Sequence, residues 1–369
     1  MTEPVETALR TDAQRTLASE LRPPGDRLDR PFRFTGSAGE FFRIWIVNLC
    51  LCILTLGLYT PWAKVRTRRY LYANLELAGS SFHYDADPMR ILIGRLIVLA
   101  ALGFYSIAES LSPVASIPLA IAYALAFPLA AVRSTAFHHR HSLYRNIRFR
   151  FAASYREAFH VILVGPLLSL LSLGLAHPWW QGRRQAFVVS NSRYGTTGFA
   201  FDWRASPYYA VWVQAGLVWI LGVSLVAVAM ALLLNERLPL LGAGEGIPFA
   251  TTFGWIAFLV PLALAYGLVQ AGITNLLYGQ AGLGALRFRS TLRAWPLAGL
   301  YVSNVAAIIC SFGLLVPWAR IRMLRHRADH LALVGAGDLG EFVQAVEAAS
   351  TLDGVASEAA DAFDFDLGL

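Results

Sequence analysis

The sequence predicts an all-α polytopic membrane protein with seven apolar segments and three internal repeats, the third truncated, and with small β hairpins at the cytoplasmic membrane surface. Three observations carry that reading. Apolar residues make up 56% of the chain and charged residues 15%, and the mean hydropathy is +0.50, far from ordinary soluble usage. A short motif recurs three times in one frame. Seven apolar runs lie between arginine-rich or turn-forming connections, most of them near the ~20 residues that a spanning helix needs.

The motif is Gly-Leu-x-x-Pro-Trp-x-x-x-Arg. It stands at Gly57 to Arg66, with Pro61 and Trp62; at Gly174 to Arg183, with Pro178 and Trp179; and at Gly313 to Arg322, with Pro317 and Trp318. Twenty-nine residues before each motif proline stand Phe32, Phe149 and Phe288, each followed by arginine. Thirteen residues after it stand Asn74, Asn191 and His330, so the third copy diverges there. Internal periodicity precedes any fold assignment. It divides the chain into an N-terminal segment 1–30, membrane repeats 31–146 and 147–285, a truncated repeat 286–337 and an acidic tail 338–369.

Phe34-Thr35-Gly36-Ser37 with Glu40, Leu54-Thr55-Leu56-Gly57-Leu58-Tyr59, Pro61-Trp62-Ala63-Lys64-Val65-Arg66 and Arg69-Tyr70 resemble the YjgN family of bacterial inner-membrane proteins, also described as DUF898. The resemblance covers about residues 32 to 335. It implies a polytopic membrane protein and supplies no established activity.

In chain order, residues 1–30 are polar and mixed in charge, with no apolar h-region of a cleavable signal peptide, so the first apolar run must direct insertion. The runs are Phe41–Tyr59, Ile91–Leu111, Val114–Val132, Ala158–Ala176, Tyr209–Leu234, Ala250–Leu277 and Trp295–Val316. Ser112-Pro113 makes the second and third a tight helical hairpin. Segments 60–90, 133–157, 177–208 and 278–294 are arginine-rich, whereas 235–249 carries Glu236 and Glu245 against Arg237. Basic loops face the cytoplasm, which leaves the first, fourth and seventh runs with basic flanks at both ends. Thirteen residues before the motif prolines, Asn48, Gly165 (followed by Pro166) and Asn304 interrupt these runs. Two readings are open: broken segments that do not cross, or full helices whose three-span unit inverts its successor.

Leu75-Glu76-Leu77, a Gly79-Ser80 turn and Phe82-His83-Tyr84 alternate like a hairpin, as do Phe187–Asn191 and Phe199-Ala200-Phe201 around Gly195–Gly198. Phe32-Arg33-Phe34 and Phe149-Arg150-Phe151 alternate as well. In the tail, Leu339, Phe342, Val343 and Val346 keep helical spacing behind Asp338. This segment is expected as a short helix, either folded back on the basic cytoplasmic face or leading into a disordered end.

The charge balance is +7, with one lysine, Lys64, beside thirty arginines. These arginines flank apolar runs rather than filling a soluble basic domain, which excludes nucleic acid as the partner and points to anionic phospholipids; self-association is left open. Cys50, Cys52 and Cys310 lack metal or disulfide spacing, and His138, His139 and His141 have no carboxylate or cysteine beside them at ligand spacing, so no metal or cofactor is expected. No catalytic set is visible; His83 with Asp85 is the remaining pair. Polar residues inside apolar runs are costly unless they face a bundle interior. Asn48, Gln214, Gln270, Asn275 and Asn304 are the pore-lining candidates, whose alternative role is to bind helices together. Glu109 reads as interfacial. Trp62 and Arg66, Trp179 and Arg183, and Trp318 and Arg322 are the candidates for headgroup or anion contact. The leading expectation is a non-enzymatic transporter or channel-like protein of the bacterial inner membrane with a cytoplasmic C-terminal tail; the alternative is a non-transporting scaffold that holds lipid headgroups.

Overall fold

The computed structural model describes residues 28–237, 246–335, 339–340 and 342–348. Most of the N-terminal segment, the centre of the acidic 235–249 loop, Asp338 and the tail beyond 348 lie outside the described residues.

Strand, two helices and strand follow one another five times. Unit 1 is β1 (Leu28–Phe34), α1 (Ala38–Leu54), α2 (Thr60–Ala73) and β2 (Leu75–Leu77). Unit 2 is β3 (Ser80–Tyr84), α3 (Pro88–Leu111), α4 (Pro113–Arg140) and β4 (Ser142–Tyr144). Unit 3 is β5 (Ile147–Phe151), α5, α6 (His177–Ser190) and β6 (Ser192–Tyr194), where α5 runs as Tyr155–Phe159, a π-helical turn His160–Val164 and Gly165–Leu171. Unit 4 is β7 (Thr197–Phe201), α7 (Ala205–Arg237), α8 (Gly246–Gln280) and β8 (Ala281–Leu283), and unit 5 is β9 (Leu286–Ser290), α9 (Ala294–Cys310), α10 (Val316–Asp329) and β10 (Leu331–Gly335).

The ten strands pair antiparallel in chain order, and β10 returns to β1, closing a barrel. Two-residue turns join the units at Ala78-Gly79, Arg145-Asn146, Gly195-Thr196 and Gly284-Ala285. Ala78 and Gly79 (φ 47° and 74°) and Arg145 and Asn146 (47° and 63°) hold the left-handed conformations that match the twist of tight hairpins. Because direction alternates along the ring, all turns sit at one rim and all helical pairs leave from the other. One backbone bond recurs at that helical rim in every unit. The amides of Thr35, Asp85, Ala152, Asp202 and Thr291 donate to the carbonyls of Asn74, His141, Asn191, Gln280 and His330.

Helix starts follow from capping chemistry. Ser37 accepts from the Glu40 amide and Ser154 from the Glu157 amide, both at 3.2 Å and both at capping-box spacing, and Asp87 caps α3 through the Met89 amide. Helix ends do too. Asn74 and Asn191 each donate Nδ2 to the carbonyl four residues earlier at 2.8 Å, and His330 Nδ1 does the same toward His326. The third copy's departure from asparagine therefore preserves the bond.

Each unit sends one phenylalanine and one partner into the barrel: Phe32 with Leu77, Phe82 with Tyr144, Phe149 with Tyr194, Phe199 with Leu283 and Phe288 with Leu333. Phe32 stacks on Phe82 at 6.3 Å and Phe199 on Phe288 at 6.3 Å. Eight strands enclose just enough room for side chains, and ten enclose more. Leu339, Val343 and Val346, with Phe342 beside them, complete the filling from the tail helix. The tail segment thus docks on the barrel, and Phe342 approaches Gly284 of the turn rim.

Among the described residues, four helices are long and apolar enough to cross a membrane: Pro88–Leu111, Ser116–Arg140, Ala205–Leu232 and Phe258–Gln280. They are the helical pairs of units 2 and 4. The first, fourth and seventh apolar runs fall on α1, α5 and α9. At 17 residues, α1 and α9 reach about 25 Å, short of the ~30 Å hydrocarbon core. Pairing of Phe34 with Leu75 returns the chain to the rim that it left, so these pairs go out and come back, and the inverted three-span arrangement does not occur.

The β expectation needs correcting in extent. Separate surface hairpins are replaced by one closed barrel, and Phe187–Asn191 is not a strand: helix α6 runs to Ser190, Asn191 caps it, and the strand begins at Ser192.

Candidate functional site

The motif lies at the tips of the three short helical pairs, and its backbone is the same each time. At the end of α1 the Leu56 amide donates to Ile53 O (3.1 Å) and the Gly57 amide to Cys52 O (2.7 Å), the paired bonds of a Schellman helix end. Leu173 and Gly174, and Phe312 and Gly313, repeat both bonds. The hydroxyls of Thr55, Ser172 and Ser311 then each accept an amide four residues on, from Tyr59, Ala176 and Leu315 (2.9–3.0 Å). The glycines take φ 88–89°. They are not the first left-handed residue, however. Leu56, Leu173 and Phe312 precede them at φ 49°, 53° and 50°, in the place where helix ends favour glycine.

Those three side chains are 96%, 94% and 98% exposed. Left-handed backbone costs a non-glycine residue roughly 1–2 kcal/mol, and a large apolar group gains nothing in water that would offset it. In hydrocarbon the same group recovers roughly 1.5–3 kcal/mol. Ile53, Leu54, Leu58, Leu170, Leu171, Leu175, Ile309 and Leu314 are also exposed around the tips. The geometry suits three apolar wedges that dip part-way into a bilayer.

Behind the tips, the headgroup candidates separate. Trp62 stacks on Tyr59 (6.0 Å, 13°) and Arg66 is exposed. Arg322 lies over Trp318 (5.1 Å) and donates to Ser303 Oγ (2.7 Å) and Asn304 Oδ1 (3.1 Å). Arg183 lies over Trp203 of unit 4 (5.9 Å). In unit 3 the candidates share a cavity. A groove of about 250 Å³ between α5 and α6 brings Trp179 and Arg183 together with Arg156, Glu157, His160 and Trp180.

The groove exists because α5 widens there. Pro166 has no amide to give to Ile162. The Gly165 amide instead reaches back five residues to His160 O, which frees Val161 O for Trp180 Nε1 at 2.8 Å. A Cβ on Gly165 would stand 2.2 Å from Trp180 Cδ1, so glycine is what admits the indole. π-turns recur at functional sites, and the Gly165-Pro166 pair is the sequence signal for this one.

The pore-lining candidates do not gather around one path. Asn48 and Asn304 are buried (5% exposed each) and clamp their helical pairs: Asn48 Nδ2 donates to Ala63 O (3.4 Å) and Asn304 Nδ2 to Ala319 O (3.3 Å). Asn275 ties α8 to the β9–α9 connection through Leu292 and Ser290. Gln214 is exposed on α7, and Gln270 is half-buried on α8. His138, His139 and His141 point to different partners, and no metal-binding group of three is present among the described residues. Asp85 pairs with Arg69 (3.6 Å) beside an exposed His83. Glu109 is exposed near the far end of α3.

Curated relatives of this chain carry the name inner membrane protein YjgN. The protein of Salmonella typhimurium is 31% identical over 141 residues, 38% of this chain and 36% of its own. The protein of Escherichia coli K12 is 29% identical over 148 residues, 39% and 36%. The matched stretch is thus little more than a third of each chain. No solved structure matches. The corner motif and the strands that flank it lie within a match to one family model over residues 29–362, and the chain belongs to that family, the bacterial proteins of unknown function DUF898.

Proposed function

We propose a non-enzymatic protein of the bacterial inner membrane that organises anionic lipid, with three apolar corners set into the cytoplasmic leaflet and the tryptophan and arginine side chains behind them holding headgroup phosphate. The carrying observation is the repeated left-handed, almost fully exposed Leu56, Leu173 and Phe312. The names of the relatives support the location. Arginine-rich connections at the helical rim support a cytoplasmic barrel and tail. The constant offset of 117 residues that carries Pro61, Tyr84 and Asp85 onto Pro178, Phe201 and Asp202 supports an origin by duplication.

The test places single fluorophore-labelled cysteines at 56, 173 and 312 in a variant lacking the native cysteines, reconstituted in nanodiscs. Quenching by brominated acyl chains is expected at all three sites. Quenching by aqueous iodide alone overturns the reading. Triple alanine substitution of Arg66, Arg183 and Arg322 is expected to reduce retention of phosphatidylglycerol over phosphatidylcholine during purification.

Solute movement, the leading expectation from the sequence, draws less support. The barrel layer is aromatic and aliphatic, Asn275 and Asn304 spend both polar atoms on protein partners, and Asn48 spends its Nδ2. A flux that survives the arginine variant and disappears in Asn48→Leu would restore it.

A further inference from the structure

Units 1 and 2 meet in the same way as units 3 and 4, and the 117-residue offset maps one junction onto the other side chain by side chain. At the second junction, two glutamines of α6 face two donors of α7. Gln181 Oε1 accepts from Trp212 Nε1 at 2.9 Å, and Gln185 Oε1 accepts from the Tyr208 hydroxyl at 2.7 Å. Each amide oxygen is neutral and answered. At the first junction the corresponding residues are Lys64 for Gln181, Arg68 for Gln185, Arg95 for Trp212 and Ile91 for Tyr208. Three acceptor-and-donor places have become cations, and cations only donate.

Protein acceptors answer few of those donors. Arg68 Nη1 reaches His138 Nδ1 (2.6 Å) and the Tyr84 hydroxyl (3.1 Å), and its guanidinium lies over the Tyr84 ring (5.3 Å). Arg95 has one long bond to Gly57 O (3.4 Å). A fourth cation comes from unit 5: Arg320 stands at the motif position of Lys64, with its guanidinium over Phe41 (5.7 Å). Desolvation by the surrounding helices and then the charges of Arg68 and Arg95 hold Lys64 below the ordinary lysine range. Desolvation and Arg68 depress Arg320 likewise. Ion pairs among the described residues join Arg69 with Asp85, Arg204 with Asp202 and Arg289 with Asp29, none of them reaching this cluster. Lys64 and Arg320 are exposed, so an incoming group can reach them.

We propose that Lys64, Arg68, Arg95 and Arg320 form a binding site for a phosphoryl group, at the junction of units 5, 1 and 2. Mutual repulsion of four cations is relieved by a multiply charged oxyanion, and guanidinium presents the paired donors that phosphate oxygens accept. The source is a lipid headgroup or a soluble phosphate compound. This site does not depend on corner insertion, and Arg66, Arg183 and Arg322 are outside it.

Lys64 is the chain's only lysine, which supplies the readout. The full chain in neutral detergent is treated with an amine-acylating reagent, and modification of Lys64 is followed by mass spectrometry. Inorganic phosphate, or nanodiscs containing phosphatidylglycerol, is expected to slow labelling several-fold relative to sodium chloride of equal ionic strength or to pure phosphatidylcholine. Protection by phosphate identifies a soluble ligand class, and protection by phosphatidylglycerol alone identifies the headgroup. Arg68→Gln with Arg95→Trp installs residues that the other junction already accommodates and is expected to weaken protection about tenfold or more in ligand concentration. Arg68→Gln alone is the second variant should the pair disturb folding, and Arg204→Ala, at an exposed arginine paired with Asp202, is expected to leave protection intact. Equal protection by chloride, protection by neither probe, or undiminished protection in the Arg68 variants overturns the site.

Discussion

Units 1 and 5 hold their helical pairs together with asparagine and alanine, whereas unit 3 uses glycine and tryptophan. Asn48 faces Ala63 and Asn304 faces Ala319; at the corresponding places Gly165 faces Trp180. The donor crosses from the first helix in units 1 and 5, and from the second helix in unit 3, where Trp180 reaches Val161 O. In all three, one side-chain N–H bridges to a backbone carbonyl of the opposite helix while volume is exchanged between the two positions. The difference teaches that the polar interruption in these runs is a clamp between helices. It also explains the groove of unit 3, since the indole requires the π-turn and the π-turn opens the space.

The strongest way to break this comparison is Gly165→Asn, which makes unit 3 resemble the others at one position only. With Trp180 in place the new Cβ has no room, and a loss of about 3 kcal/mol is expected, read as thermal unfolding in detergent. Adding Trp180→Ala is expected to recover much of that loss, because the pair then matches Asn48 with Ala63. Simple additivity of the two losses in a double-mutant cycle would sink the exchange account.

Next in size are the clamps themselves. Asn304→Leu is expected to cost about 2–3 kcal/mol, since it leaves Ala319 O without its side-chain donor and takes one acceptor from the Arg322 guanidinium. Asn48→Leu, with its longer bond and no arginine partner, is expected to cost about 1 kcal/mol. Equal losses, or a larger loss at Asn48, would show that the two corners are not held as described.

A smaller effect with an informative sign belongs to the wedges. Leu56→Gly relieves ~1 kcal/mol of backbone strain but removes a lipid contact of ~2 kcal/mol. Stability is expected to fall by about 1 kcal/mol in nanodiscs. A rise in nanodiscs would mean that the tip never meets hydrocarbon.

How much of this was open to a reader of the sequence depends on the range of the forces involved. The corners were legible because Gly-Leu-x-x-Pro-Trp is local chemistry, and the four membrane-length helices because apolar length is itself the signal. The β2–β3 hairpin was legible from Gly79 and alternation. Barrel closure was not, since a strand such as Ala281-Gly282-Leu283 carries no β signal of its own and is held by pairing with β7 and β9. Units 2 and 4 escaped notice as equals of 1, 3 and 5 because they share only the strands and not the corner. Leu56, Leu173 and Phe312 carried no signal in the sequence, for their left-handed backbone leaves no mark when glycine follows rather than occupies the position. The Lys64 cluster was legible only as scattered charges until the junction of α2 and α3 could be set beside that of α6 and α7.

The smallest expected effect separates the corners by pH. Unit 3 alone carries a histidine just before the motif proline, His177, where unit 1 has Thr60 and unit 5 has Val316. His177 packs edge-on against Trp180 (5.4 Å) and Trp212 (4.9 Å), and burial holds it below the ordinary histidine value of 6.5. The unfolded chain therefore binds this proton at higher pH than the folded chain does. The stabilisation is complete above pH 6.5 and is lost as pH falls through the window beneath it. His326 of unit 5 shifts in the same direction, through burial and then His330, so the wild-type slope contains more than His177 and the comparison must be made between variants. His177→Thr installs the unit 1 residue and leaves His326 in place. The fall in Tm between about pH 7.5 and about pH 5 is expected to be shallower in that variant than in the wild type. Parallel slopes would mean that His177 titrates alike in both states and that the aromatic cage around it is open to water.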